Sequence, residues 1–385
     1  MHLHGHLPAP GSHVTRCWRQ AGASIVTATG SRHDVRVTGA PQIPADDDVA
    51  AFWVPDPGHR LAGVRLRPDV PVDGGQPDFR PSGDGWRLSV GRPPVSRMEY
   101  LVELSYPGGG SQTVTDPGNP RQVPGAFGPK SVLEFGSYTQ PGWLTAAAVP
   151  GRTAAFDLPS PALGAAIPVI TWAPPGVPDD EPLPLVVVHD GPEYDALASL
   201  TRYLSAGVTG GWLPRLRAAL LGPGSRDRWY SANTRYARAL RQVVIPALSQ
   251  RLATTVRVGM GTSLGALAML HAHCRHPDCF GALFLQSGSF FRPDYDSHER
   301  RFGYYQRIVS FVASLPGGLP GRPVPVTMTC GTIEENLPNN RSMAQVLATA
   351  GYPAALHEVP DAHNYTAWRD AFHPYLTRLL GQVCR

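Results

Sequence analysis

Long apolar runs and a strong excess of one charge are absent from this sequence of 385 residues. No stretch approaches the roughly 18 consecutive apolar residues of a membrane span, so no membrane association is expected. Lys130 is the only lysine, and the 34 basic and 30 acidic side chains leave a net charge of +4. Runs of about five or six like charges do not occur either, which argues against nucleic-acid binding.

Cysteine is scarce as well. The chain has five: Cys17, Cys274, Cys279, Cys330 and Cys384. An odd number in a chain of this length predicts no disulfide framework and favours a reducing compartment. The first residues lack a basic stretch followed by an apolar core, so no signal peptide is expected. The sequence therefore predicts a cytoplasmic location.

His2, His4 and His6 are potential metal ligands, but a frayed terminus is the favoured interpretation there. Potential ligands also come together near Cys274 and Cys279, where His271, His273 and His276 lie. Zinc sites need ligands at characteristic spacings, and those spacings are not found here. We therefore expect these histidines to be polar side chains on a helix surface. Neither a metal nor an organic cofactor is predicted.

The length and the apolar content of 42% predict two folded domains, at about 100–200 residues each. We divide the chain into a tail at 1–20, a first domain at 21–148 and a second at 149–385. In the first domain apolar and polar residues alternate over short segments, which are 50–55, 63–67, 86–90 and 98–104. Such alternation between Pro-Gly and Asp-Gly turns predicts a small antiparallel β-sandwich.

The second domain has short, uniformly apolar runs between longer segments of helical pattern. The predicted strands include 185–188, 217–221, 256–260, 282–286 and 324–329. The predicted helices are 194–204, 234–252 with a kink at Pro246, 264–275, 342–350 and 365–380. Uniformly apolar strands are typical of a parallel sheet covered by helices on both faces. The pattern predicts an α/β, doubly wound domain.

The segment Gly261–Gly265 reads Gly-Thr-Ser-Leu-Gly, between a predicted strand and a predicted helix. The motif alone is weak evidence, but a serine at the apex of a strand–turn–helix is typical of a nucleophile elbow. We expect the strained turn to expose the Ser263 hydroxyl. The N–H of Leu264, at the helix start, would face a developing oxyanion.

A serine nucleophile needs a base. In α/β folds with a nucleophile elbow, an acid and then a histidine follow the serine along the chain. His363 lies in a loop after the predicted last strand and is the favoured base, while His298, His357 and His373 are the alternatives. The loop that begins at Gly331 offers two candidate acids. Glu334 is favoured over Glu335.

A second oxyanion donor is expected after an earlier strand. Gly191 permits close backbone approach there and has a free N–H, unlike Pro192. Asp190 and Arg228 are candidates for binding the substrate. A structural role is the alternative for Asp190, and capping of the next helix is the alternative for the segment around Arg228.

With these motifs in this order, the sequence resembles the enterochelin (enterobactin) esterase-like family within the esterase D-type α/β hydrolases. In the second domain the resemblance rests on six segments: 190–191, 228–233, 261–265, 284–290, 331–334 and 361–368. In the first domain it rests on 97–102, 116–120 and 127–133, which resemble the immunoglobulin-like, early-set module of those esterases.

The resemblance implies an α/β-hydrolase fold preceded by an all-β module. It implies Ser263 as nucleophile, Glu334 as acid and His363 as base, with N–H donors at Gly191 and Leu264. It also implies that the segment 286–289 packs beside the elbow. The sequence departs from the family where a second glycine often follows Gly265, because Ala266 stands here.

We therefore predict a serine esterase that acts on a small-molecule ester through an acyl-enzyme, with an enterobactin-like trilactone as a candidate substrate. One alternative is an acyltransferase that uses the same three residues and an alcohol acceptor. The other is a non-catalytic binding protein on the same fold. The sequence leaves the oligomeric state open.

Overall fold

The computed structural model describes residues 48–72, 77–318 and 322–384. The predicted tail at 1–20 and the first part of the predicted β-domain, 21–47, lie outside the described residues. The boundary predicted near residue 148 lies between the strands that end at Glu134 and begin at Arg152.

The amino-terminal part is all β among the described residues. Its strands are β1 (Val49–Pro55), β2 (Gly63–Pro68), β3 (Arg80–Ser82), β4 (Gly85–Gly91), β5 (Arg97–Ser105), β6 (Ser111–Val114), β7 (Gln122–Val123) and β8 (Lys130–Glu134). They form one sheet in the order β1-β4-β3 and a second in the order β2-β5-β8-β7, with β6 paired to β5. All these pairings are antiparallel.

The two sheets share one apolar core, which makes them a sandwich. Along β1 every second side chain is buried, including Phe52 and Val54. Leu66 and Tyr100 point into the same core from the other sheet, and the rings of Phe52 and Tyr100 meet edge to face at 5.1 Å. This period-two burial confirms the predicted sandwich.

The carboxy-terminal part is built on an eight-stranded sheet. Its strands are β9 (Arg152–Ser160), β10 (Ala165–Ala173), β11 (Leu183–His189), β12 (Arg217–Leu221), β13 (Thr254–Thr262), β14 (Ala282–Gln286), β15 (Val326–Gly331) and β16 (Ala354–Val359). The order is β16-β15-β14-β13-β11-β12-β10-β9. The six strands from β11 to β16 pair in parallel, and β9 and β10 add an antiparallel edge.

Helices cover both faces of this sheet. They are α1 (Gly191–Ala198), α2 (Leu200–Thr209), α3 (Arg226–Tyr230), α4 (Thr234–Ala239), α5 (Ile245–Arg251), α6 (Leu264–Arg275), α7 (Tyr305–Ser314), α8 (Leu337–Thr349), α9 (Tyr365–Asp370) and α10 (Thr377–Val383). Every residue of β11, β12 and β14 is buried, because apolar layers lie above and below. This arrangement confirms the predicted α/β fold behind an all-β part.

Three predicted helices are interrupted. The first divides at Ser199, whose φ of 54° ends α1 and starts α2. The second contains a π-turn at Leu240–Val244 directly before α5, which accommodates Pro246 because that residue has no N–H to donate. The third breaks at His373, whose backbone is not helical, before Pro374. Helix α7 was not predicted.

Helix α6 is buried on all sides, and the prediction that its histidines lie on a helix surface is wrong for two of them. His271 packs edge to face on Phe311, and His273 hydrogen bonds to the Tyr352 hydroxyl at 3.2 Å. Burial lowers the pKa of both imidazoles to about 4. Both are therefore neutral core side chains at neutral pH.

None of the helices in the described ranges is both long and apolar enough to cross a membrane.

Candidate active site

Ser263 occupies the sharp turn between β13 and α6. Its φ of 54° and ψ of −123° are strained for a residue with a side chain. Glycine is required nearby, since a Cβ on Gly261 would lie 2.5 Å from the carbonyl carbon of Gly265. The helix can therefore begin directly against the strand and leave Ser263 at the apex, which is the geometry of a nucleophile elbow.

The expected exposure of the Ser263 hydroxyl is wrong, because the residue is 0% exposed. The segment that follows β14 packs against it, in the position that the resemblance implied. The Ser263 N–H donates to the carbonyl of Gln286 at 2.9 Å, and the Ser289 N–H donates to the carbonyl of Ser263 at 3.2 Å. The hydroxyls of Ser263 and Ser289 hydrogen bond to each other at 3.1 Å.

His363 is paired with Glu334. Its Nδ1 lies 2.7 Å from Oε2 of Glu334, and since a carboxylate can only accept, Nδ1 carries the proton. Among the described residues, Nε2 of His363 has no hydrogen-bond partner. That nitrogen is therefore available to accept a proton. Trp368 stands edge-on to the ring, with 5.0 Å between the centroids.

The Glu334 carboxylate is held from two further sides. Its Oε1 accepts from the Gly331 N–H and from the Ser287 hydroxyl, both at 2.7 Å. The Ser287 hydroxyl in turn accepts from the Trp368 indole N–H at 2.9 Å. The sequence reasoning missed Ser287 and Trp368. Both residues lie in motifs of the family resemblance, but only the fold shows that Ser287 binds Glu334 and that Trp368 binds Ser287.

The alternative acid and bases lie elsewhere. Glu335 is more than half exposed, and its Oε2 lies 3.0 Å from Nε2 of His298. His357 stacks on Tyr375 with 4.2 Å between ring centroids. His373 contacts the Thr377 hydroxyl through Nδ1 at 3.1 Å.

The end of β11 lies against the elbow helix. His189 donates from Nδ1 to the carbonyl of Gly265 at 2.9 Å. Gly191 starts α1, and a Cβ there would lie 2.4 Å from the Leu220 Cα, so only glycine fits. The N–H groups of Gly191 and Leu264 both belong to first helical turns, where backbone donors have no partner within the helix.

Asp190 forms a buried ion pair with Arg226. Its two oxygens accept from Nε and Nη2 of Arg226, both at 2.8 Å, and the residue is 0% exposed. This pairing favours the structural alternative for Asp190, and its substrate contact stays a prediction. Arg228 is exposed, and its guanidinium reaches the carbonyl of Leu163 at 3.5 Å, beside the β9–β10 turn.

His363 opens onto a cleft between the sandwich and the α/β part. A cavity of about 270 Å³ is lined by Pro68–Pro71 and Lys130 from the sandwich, and by residues 333–336, Ala362 and His363. A smaller space of about 50 Å³ also borders Lys130 and His363, next to Phe127 and Trp368. Among the described residues that line these two spaces, Ser263 is absent.

A family model described as "Putative esterase" matches residues 160–379, more than half of the chain. The chain belongs to this esterase family. The match includes Ser263, Glu334 and His363 and makes the protein a hydrolase of small-molecule esters. No curated protein is similar enough in sequence to count as a relative of this esterase.

Solved structures share the fold of this esterase across both parts. Enterochelin esterase from Shigella flexneri is 20% identical, with a TM-score of 0.72 over 90% of this chain and 96% of its own. Ferric enterobactin esterase from Salmonella typhimurium is also 20% identical, with a TM-score of 0.71 over 90% and 98%. The fold is thus the one that the sequence resemblance implied, an α/β hydrolase behind an all-β part.

Proposed function

We propose that this esterase is a serine hydrolase in which Ser263 is the nucleophile, His363 the base and Glu334 the acid. The observation that carries the proposal is the strained backbone of Ser263 at the strand–helix junction, since strain of this kind persists only where the surroundings impose it. The last residue of β14 and the one after it connect the three residues. Gln286 binds the Ser263 backbone, and the next residue, Ser287, binds Glu334.

The reaction follows from these positions. In this mechanism the Ser263 hydroxyl leaves Ser289 and hydrogen bonds to Nε2 of His363. It attacks the ester carbonyl while Nε2 accepts its proton, and Glu334 stabilises the imidazolium through Nδ1. The N–H groups of Leu264 and Gly191 hold the oxyanion.

Over the two halves of the reaction, Ser263 and His363 return to their starting states. His363 returns its proton to the departing alcohol, which leaves an acyl group on Ser263. Water repeats the attack with His363 again as base, and the carboxylic acid is released. No step requires a metal or an organic cofactor.

For the substrate we propose a siderophore-type trilactone, in which several equivalent ester bonds are presented in turn. Two observations support it. The chain resembles the enterochelin esterase-like family in the motifs of both parts, and its fold matches an enterobactin esterase crystallised in the presence of enterobactin over 89% of this chain, at 18% identity.

A panel of p-nitrophenyl esters beside a catecholate trilactone tests both levels of the proposal, with Ser263→Ala as control. We expect ester hydrolysis that Ser263→Ala abolishes, and the trilactone to have the highest kcat/KM. Equal activity in Ser263→Ala would refute the serine mechanism. Hydrolysis of the simple esters alone would refute only the trilactone. An added alcohol that is acylated faster than water reacts would indicate the transferase instead.

A further inference from the structure

Arg97 is a residue of the sandwich whose guanidinium reaches into the α/β part. It begins β5 and is 1% exposed. Its Nε lies 2.9 Å from Oδ2 of Asp361, and its Nη2 donates to Oδ1 of the same carboxylate at 3.2 Å. The same Nη2 also donates to the side-chain oxygen of Asn364. One arginine therefore bridges two side chains of the other part.

Those two side chains flank His363 in sequence and fix its loop. The Asp361 carboxylate accepts from the Ala362 N–H at 2.7 Å. The Asn364 side chain caps α9, because its oxygen accepts from the Ala367 N–H at 2.9 Å. The backbone of His363 is thus anchored on both sides at groups that Arg97 holds.

The other end of the guanidinium is fixed within the sandwich. Nη1 of Arg97 donates to Oε1 of Glu99 at 3.0 Å, two residues along β5. A main-chain hydrogen bond from Ser96 to the carbonyl of Pro360, at 2.7 Å, runs beside it. A guanidinium is planar and presents several donors in a fixed fork, so it can hold these acceptors together where a lysine amine cannot.

We propose that Arg97 is a positioning residue for His363, so that the amino-terminal sandwich completes the active site of the catalytic domain. Glu334 sets the orientation of the imidazole through Nδ1, and Arg97 sets the place of the backbone that carries it. The inference rests on the proposed function, since it needs His363 to act as the base. It gives the sandwich a part in the chemical step as well as in packing.

The competing view is that Arg97 only joins the two domains. An arginine of that kind would change stability and leave the turnover of folded protein as it was. A positioning residue changes kcat with little effect on KM, because displacing a catalytic group by about 1 Å costs roughly 10²-fold in rate. The two views therefore differ in a quantity measured on folded protein.

The test compares Arg97→Ala and Arg97→Lys with Arg121→Ala, whose arginine forms an exposed pair with Glu134 in the same sandwich. Hydrolysis of p-nitrophenyl butyrate gives kcat and KM, and thermal melting shows that each protein is folded. We expect kcat of Arg97→Ala to fall by roughly 10²-fold with KM nearly unchanged, and that of Arg121→Ala to stay at the wild-type value. Added methylguanidinium should restore much of the loss in Arg97→Ala.

Two results would overturn the inference: wild-type kcat in folded Arg97→Ala, or a loss that methylguanidinium does not reverse. If Arg97→Ala does not fold, Arg97→Lys decides. It keeps the charge but not the fork, so we expect a folded protein with reduced kcat, and full kcat would refute the proposal.

A fluorophosphonate probe separates this inference from the proposed function. Its reaction with Ser263 needs the base but no particular substrate. Slow labelling of folded Arg97→Ala, beside fast labelling of the wild type, supports both ideas. Equal labelling rates would refute only the part assigned to Arg97. Absence of labelling in the wild type would refute the serine mechanism itself.

Discussion

Replacing Arg226 with methionine tests how the loop after β11 is held. Arg226 is 7% exposed and Asp190 is 0% exposed, and two hydrogen bonds of 2.8 Å join them. The Arg226→Met variant leaves the Asp190 carboxylate buried without its guanidinium. Breaking a buried pair in this way costs roughly 3–5 kcal/mol. For a domain of this size each kcal/mol lowers Tm by about 2–4 °C.

Urea unfolding of the variant measures this loss directly. Arg341→Met is the matched control, because its pair with Glu358 is largely exposed, at 57% and 34% for the two side chains. Water screens that pair, so we expect its loss to change the free energy of unfolding little. The double variant Arg226→Met/Asp190→Asn removes the unpaired charge, so we expect it to regain part of the stability. A loss below about 1 kcal/mol in Arg226→Met, or a double variant no more stable than the single one, would refute the reasoning.

Three further outcomes follow from the site and its supporting core. Glu334→Gln keeps the shape of the side chain but cannot stabilise the imidazolium. We therefore expect kcat for ester hydrolysis to fall by about 10²–10⁴-fold in a folded protein. A smaller loss would argue against Glu334 as the acid. Gly261→Ala should lose both fold and activity, because its Cβ would lie 2.5 Å from backbone atoms. In Gly265→Ala the nearest atom to the new Cβ is a side-chain oxygen at 3.1 Å, so we expect a smaller loss. Circular dichroism and esterase assays compare the two variants, and a larger loss in Gly265→Ala would contradict the packing. Burial lowers the pKa of His271 to about 4 in the folded state, so the stability it contributes is present above its unfolded pKa of about 6.5 and is lost as pH falls towards 4. His271→Leu should therefore flatten the pH dependence of the unfolding free energy by about 1.4 kcal/mol per pH unit in that window, and curves parallel to the wild type would show that the residue is not buried in its neutral form.

The strands could be predicted well because their patterns are local. Segments 217–221 and 282–286 were predicted with the bounds that β12 and β14 have in the structure. Burial on two faces gives each of these strands a short, nearly continuous apolar run. Helices were predicted less well where one residue interrupts them. The left-handed backbone of Ser199 lies at the junction of two helices, and no local pattern reveals it.

The candidate catalytic residues could be predicted from the sequence, but the residues that hold them in place could not. The order of Ser263, Glu334 and His363 along the chain, together with their motifs, was enough to propose them. Ser287 and Arg97 could not be found in this way. Each acts on a residue far away in sequence, and only the folded chain shows which one. The burial of the Ser263 hydroxyl has the same cause, since its covering segment comes from a neighbouring strand.

Mass spectrometry after reaction with a fluorophosphonate tests the central claim most directly. The account predicts one added phosphonyl group per chain, located on Ser263, and no label in Ser263→Ala. It also predicts slow labelling in His363→Ala, because the hydroxyl then has no base. A folded wild-type protein that remains unlabelled at Ser263, or a label that persists in Ser263→Ala, would contradict the claim that this serine is the nucleophile.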